Sequence, residues 1–197
     1  MHSMDMITAR EKDIPALIRI LTPPFETNRS VNRCVKQDDK RLQRIAKQIR
    51  YVCKISIRNN LAFMNSSQTG ALLCNLSDGK KSTILDDFLF ILQVSGLKLG
   101  LQILKREKQL KQLRPKTNYC HLWFIGVLND WQGNGVGSQL LTCLKQRCKE
   151  KNLPIYLETS NAFNIPFYER NGFRLIKTRK LPMDDFEIYF FSWSPNE

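Results

Sequence analysis

What this sequence has little of narrows its chemistry first. It holds only two histidines, His2 and His121, and its six cysteines, Cys34, Cys53, Cys74, Cys120, Cys143 and Cys148, include no CxxC spacing. A zinc site built from thiolates or imidazoles needs paired ligands at short spacing, so no metal is expected. The scattered cysteines also argue against a disulfide scaffold and for a reducing, cytoplasmic compartment. No long apolar run is present either: the greasiest stretch, Ile84 to Leu104, is interrupted by Asp86, Asp87, Lys98 and two glycines. That pattern excludes a membrane span. The opening MHSMDMITAR has no apolar segment of the kind a signal peptide carries. Internal repeats and low-complexity tracts are absent.

Acidic side chains are scarce as well, 18 against 31 lysines and arginines, giving a net charge of +13 and a pI near 9.7. Such a balance calls for an anionic partner, which is nucleic acid, a membrane surface or a phosphorylated cofactor. Zinc-finger spacing and RNP-type aromatic motifs are missing and the charge is spread along the chain, which disfavours nucleic acid. With 42% apolar and 10% aromatic residues in 197, the chain is expected to bury one core as a single domain, 1–197.

Periodicity then sorts the chain into elements. MDMITAR reads as a short strand, followed by Asp13 as an N-cap and by Ile14, Leu17, Ile18 and Leu21 at helical spacing, with Pro23 and Pro24 as the stop. Leu42, Ile45, Ile49 and Val52 mark a second helix with a basic outer face. LAFMN and GALLCNL form a plausible hairpin across SSQT. Residues 82–115 then show helical periodicity twice, broken at Gly96 and closed by Pro115. The apolar faces Phe88, Leu89, Leu92 and Leu97, Leu101, Leu104 are expected to pack together as a helical hairpin, the alternative being an added stabilising layer with a solvated basic face. CHLWFIGVL is a near-continuous apolar run, as a central strand covered on both faces requires. An amphipathic helix SQLLTCLKQRCKEK, the strand PIYLETS, a short helix IPFYERNG and the strands FRLIKTRK and FEIYFFSWS complete the chain. The fold class is therefore α/β (α+β), with a parallel pair inside an otherwise antiparallel or mixed sheet.

The chemistry concentrates in WQGNGVGSQLL. Gly133, Gly135 and Gly137 lie between a buried strand and a helix, where unpaired backbone N–H groups converge and no Cβ blocks an approaching phosphate. Gln132 and Ser138 can add side-chain contacts. A dinucleotide GxGxxG fingerprint fails here, because position 138 is serine. GKKST, Gly79 to Thr83, lacks the upstream glycine of a P-loop, since that position holds Cys74. An ordinary tight turn is the remaining alternative.

Gln132-x-x-Gly135-x-Gly137 resembles the [RQ]-x-x-G-x-[GA] pattern of the GNAT superfamily of acyl-CoA-dependent N-acetyltransferases. SNAFNIPFYERNGF resembles that family's second segment, an asparagine some seven residues before a tyrosine and then a Gly-Phe pair. The resemblance spans roughly Tyr119 to Trp193. Asn129 stands where the family usually has a proline, a turn former of another kind.

The resemblance implies a mostly antiparallel sheet with a splayed parallel strand pair, flanked by helices, with residues 82–115 as a helical insert between the third and fourth strands. It implies acetyl-CoA as co-substrate, held by Ile125, Gly126, Val127, Gln132, Gly133, Asn134, Gly135, Val136, Gly137, Ser138, Asn161 and Tyr168. It further implies transfer of an acetyl group to a primary amine, with a backbone N–H in Ile125–Val127 polarising the thioester carbonyl. Tyr168 is the matching proton donor and Glu158 the matching base, acting directly or through water. His121 reads as a structural residue, Asp130 as a turn residue, and Asn161 equally as a helix cap. The acceptor is an unidentified small-molecule or peptide amine, and a homodimer is left open. A non-catalytic acyl-CoA sensor and a basic nucleic-acid-binding protein are the competing readings.

Overall fold

The computed structural model describes residues 5–196. Seven strands, β1 (Met6–Thr8), β2 (Ala62–Asn65), β3 (Gly70–Leu76), β4 (Cys120–Val127), β5 (Ile155–Thr159), β6 (Arg174–Lys180) and β7 (Glu187–Trp193), form one sheet. Their order is β1-β2-β3-β4-β5-β7-β6. Every pairing is antiparallel except that of β4 with β5. The sheet is thus mixed and mostly antiparallel, with one parallel pair, as expected from the sequence. Met4, which opens the expected first strand, and His2 lie outside the described residues.

Helices cover both faces. α1 (Ile14–Phe25) and α3 (Arg41–Arg58) close one face through Leu17, Ile20, Leu21, Ile45, Ile49 and Val52, which pack on Met64, Leu73 and Phe124. α2 (Arg29–Asn32) is a single turn between them, capped by Asn28, whose Oδ1 accepts from the Val31 amide at 2.9 Å. On the other face lie α6 (Val136–Glu150) and α7 (Ile165–Arg170), over Leu72, Leu122, Leu157 and Phe191. The apolar run of β4 serves both layers: Cys120 and Leu122 belong to the second and Phe124 to the first. The alternation is reset by a bulge, since Leu73 pairs with Phe124 and Cys74 with Leu122, leaving Trp123 as the extra residue.

Local chemistry departs from expectation at α1. Asp13 does not cap it; its Oδ2 accepts from the Arg10 amide at 2.8 Å, closing a box around a 3-10 turn, Glu11–Asp13. Pro23 and Pro24 sit inside the last turn, which ends at Phe25.

The insert comprises α4 (Ile84–Phe90), a π-helical turn (Ile91–Ser95) and α5 (Leu97–Leu113), with Gly96 at φ 75° as the break. Its expected apolar hairpin is corrected by the structure. Phe88, Leu92, Leu97, Leu101 and Leu104 are all exposed, between 60% and 82%. The inward side is marked by ion pairs as well as by a few apolar residues. Asp86 of α4 pairs with Lys54 at 3.3 Å and Arg58 at 2.6 Å on α3. Arg106 of α5 pairs with the buried Asp184 at 2.9 Å. Between these anchors Gly100 allows α5 to approach Ile91, whose side chain lies 3.3 Å from where a Cβ would stand. Leu110 then joins Tyr119, Tyr156 and Phe190 in a third core beneath α5.

Candidate active site

Parallel pairing between β4 and β5 runs only from Cys120 opposite Ile155 to Leu122 opposite Leu157. Beyond it β4 continues to Val127 against β3, while Glu158 and Thr159 pair with β7. The two strands therefore part, leaving a wedge flanked by the backbone of residues 123–127. Ile125 and Val127 face α6 and are half-buried. At Gly126 a Cβ would meet Pro24 at 2.9 Å and Leu21 at 3.0 Å, so the missing side chain lets the end of α1 close on the strand.

After β4 the chain makes a 3-10 turn, Asn129–Trp131, and reaches the glycine loop. Gly133 and Gly135 have φ of 80° and 77°, a region that side chains disfavour, and nothing stands within 4 Å of where their Cβ atoms would be. Gly135 is the N-cap of α6, and no side chain caps that helix. The first-turn N–H groups of Val136, Gly137 and Ser138 are thus open to an anion. Gly137 plays a different part, as a Cβ there would press on the Phe167 ring at 3.2 Å. Gln132 Nε2 donates to the Val127 carbonyl and to Asn129 Oδ1, both at 3.2 Å, so its amide group braces the loop against β4. Asn134 and Asp130 are exposed, Val136 is buried in the second core, and Ser138 is half-buried.

On the α3 and α5 side a chamber of about 750 Å³ opens onto the wedge, lined among others by Phe25, Trp123, Phe124, His121, Glu158 and Ser160. Glu158 does not stand free in it. Arg114, at the end of α5, donates through Nε to Oε1 at 2.6 Å and through NH2 to Oε2 at 3.0 Å, and its NH1 holds Glu107 at 2.7 Å. His121 Nε2 lies 3.7 Å from Glu158 Oε2, and the imidazole stacks on Trp123 with centroids 6.0 Å apart. Burial would raise the Glu158 carboxyl, but Arg114 and then His121 hold it well below the usual carboxylate range. A carboxylate so stabilised as an anion is a poor proton acceptor. Glu158, Arg114 and His121 thus stand together on one wall of the chamber.

Tyr168 lies on α7 in the other layer, its ring against Phe191 at 5.3 Å and Phe173 at 5.9 Å. Burial pushes its phenol far above the ordinary range, so it stays protonated. Asn161 caps a 3-10 turn, Ala162–Asn164, accepting from the Phe163 amide at 3.1 Å.

The wedge thus brings together Ile125–Val127, Glu158 and His121, with the loop 132–138 at the end of β4. Arg114 was missed as a site residue, although it closes a basic helix just before Pro115. Among the described residues no helix is long and apolar enough to cross a membrane.

Comparison with known proteins bears on this arrangement. Residues 99–173 match the family model described as Acetyltransferase (GNAT) family. An uncharacterized N-acetyltransferase of Schizosaccharomyces pombe is 39% identical over 56 residues, 27% of this chain, and the match spans 23% of that relative's length. A histone acetyltransferase HPA2 and related acetyltransferase from Corynebacterium glutamicum superposes with a TM-score of 0.71 at 17% identity, covering 98% of this chain and 97% of its own. Arabidopsis thaliana Naa50, solved with the bisubstrate analogue CoA-Ac-MVNAL, gives 0.58 at 19% identity over 98% and 99%. Arylalkylamine N-acetyltransferase 2 of Aedes aegypti gives 0.66 at 11% identity over 99% and 100%.

Proposed function

On the premise that this chain is a GNAT-superfamily protein, matched in sequence over residues 99–173 and in fold over nearly its whole length, we propose that it transfers an acetyl group from acetyl-CoA to a primary amine by direct attack. The observation that carries this reading is the parting of β4 and β5 after Leu122 and Leu157, with an uncapped, Cβ-free helix start at the end of the same strand.

Acetyl-CoA supplies an activated thioester carbonyl and a thiolate leaving group. The loop amides from Gly133 to Ser138 hold the diphosphate, with Asn134 and Gln132 shaping the loop. A backbone N–H in Ile125–Val127 faces the carbonyl oxygen as charge develops on it. The acceptor nitrogen, entering from the chamber, must be uncharged to attack, although a free alkylammonium titrates near ~10.4. His121 takes the proton that this nitrogen sheds, and Glu158, held by Arg114, orients the imidazole and balances its charge. The new N–C bond forms as the C–S bond breaks, and Tyr168 gives its proton to the departing sulfur. Asn161 contributes through the turn that it caps.

Thermal unfolding and thiol release test this together. Acetyl-CoA should raise the melting temperature, and a panel of primary amines should include members that release free thiol above the buffer rate. A folded sample that shows no stabilisation by millimolar acetyl-CoA would overturn the proposal.

A further inference from the structure

Of the twelve large apolar side chains exposed among the described residues, seven lie on the insert, and the other five are scattered over five separate elements. Scattered exposure is ordinary, whereas a cluster of this kind marks a surface that meets something. Ile84, Leu85, Phe88 and Leu92 recur at helical spacing along α4 and into the π-helical turn, and Leu97, Leu101 and Leu104 do so along α5. The two segments touch where Gly100 comes up against Ile91. Their opposite sides are the ones tied to the protein, through Asp86 on α4 and through Arg106 and Leu110 on α5. Of the seven, only Leu104 borders the chamber, so this surface is not the wall of the acceptor site.

Charge indicates what covers it. Lys105 and Lys108 continue the α5 stripe, each four residues beyond a leucine of it, and Lys98 and Lys111 flank it. All four lysines are exposed, and none pairs with an acid among the described residues. The carboxylates of the insert are already engaged: Asp86 with Lys54 and Arg58, Glu107 with Arg114, and Asp87 with the Tyr51 hydroxyl. A second copy seated here would bring two such sets of lysines together, which like-charge repulsion opposes. Protein interfaces are depleted in lysine and favour arginine, tyrosine and tryptophan, none of which stands on either stripe. Leucines alongside lysines suit a lipid surface, where aliphatic groups enter the acyl boundary while lysine stems lie along it and their ammonium groups reach the phosphates.

We propose that the outward side of the insert docks this protein on an anionic lipid bilayer, with α4 and α5 lying in the headgroup layer and not crossing it. The inference stands apart from the acetyl-transfer reading, since none of its leading residues belongs to the proposed catalytic or cofactor-binding set.

Co-sedimentation of the full chain with vesicles tests it, comparing pure phosphatidylcholine with phosphatidylcholine containing about 30% phosphatidylserine at about 0.1 M salt. Wild type should bind the anionic vesicles at least about tenfold more tightly, and less so at about 0.5 M salt. Leu97→Gln/Leu101→Gln keeps every charge and should weaken that binding by about tenfold, with a melting transition within about 2 °C of wild type because both side chains are exposed. If that variant fails to fold, Phe88→Gln/Leu92→Gln carries the same expectation on the other stripe. Lys105→Gln/Lys108→Gln should weaken binding by about thirtyfold, at about fivefold for each lysine. Lys149→Gln/Lys151→Gln removes the same charge at the end of α6, on the opposite side of the sheet, and should stay within about twofold of wild type. A wild type that does not distinguish the two vesicles overturns the proposal. So does a leucine variant that binds like wild type, or an α6 variant that loses as much as the α5 one, because attraction would then follow net charge alone. A solution dimer that Leu97→Gln/Leu101→Gln splits would assign the surface to a second copy and overturn it equally.

Discussion

Replacing Arg114 with methionine removes the cation that joins the insert to the reacting strand. Its side chain is 11% exposed and that of Glu158 13%, so the substitution strands a carboxylate that is almost out of water. Breaking one partner of a buried pair costs about 3 to 5 kcal/mol. For a chain of this size each kcal/mol moves the midpoint by about 2 to 4 °C, so the melting temperature should fall by about 6 to 20 °C. The sign of the pH dependence follows from the site. In the wild type the carboxyl is held below its unfolded value, so its stabilisation is fully present above about pH 4.3 and is lost as pH falls through the folded value. In Arg114→Met, His121 alone is left to oppose burial, so the folded value of Glu158 rises well above its wild-type one. The variant is therefore penalised most near neutrality, and the gap from wild type should narrow toward about pH 4 without closing, because the wild-type pair persists until pH falls through its own, much lower, value. Scanning calorimetry at pH 7 and pH 4 measures both gaps. Arg114→Met/Glu158→Met should recover most of the loss, since an apolar pair of similar volume leaves no charge stranded. A single variant within about 2 °C of wild type at neutral pH, or a double variant no better than the single, would refute the reasoning.

Other consequences are as direct. Tyr168→Phe should lower kcat by about tenfold to a hundredfold with an intact melting transition, measured by thiol release, because only a donated proton is removed. His121→Gln should cost about 10²- to 10⁴-fold in kcat and flatten the acid limb of the pH–rate profile, whereas Glu158→Gln should displace that limb without abolishing it. Gly135→Ala forces a side chain into the left-handed region at φ 77°. It should destabilise the loop by about 1 to 2 kcal/mol and weaken acetyl-CoA binding by calorimetry. Within the insert, Leu110→Ala should cost about 2 to 5 kcal/mol by denaturant titration, while Leu101→Lys, on the outward side, should stay within about 0.5 kcal/mol.

The pattern of what could be read from sequence has physical causes. β4 and the glycine loop were legible because an apolar run followed by three closely spaced glycines admits few other local structures. α6 was legible from its 3.6-residue period. The insert's orientation was not. Ile84, Leu85, Phe88, Leu89, Phe90 and Leu92 surround their helix, so hydrophobicity cannot say which side faces in, and the answer lies in Asp86 meeting Lys54 and Arg58. The Arg114–Glu158 pair joins residues 44 positions apart, beyond any local pattern. Glu158 could be placed at the cleft from its strand end, but its protonation behaviour depended on that distant partner.

Because β4 and β5 share so brief a ladder, the sheet is in effect two panels joined at a narrow seam, β1 to β4 on one side and β5 to β7 on the other. Each panel has its own internal pairing, and the seam offers little backbone cooperativity to bind one to the other. Partial unfolding should therefore follow that line, with the carboxy-terminal panel opening as a unit before the rest of the molecule gives way.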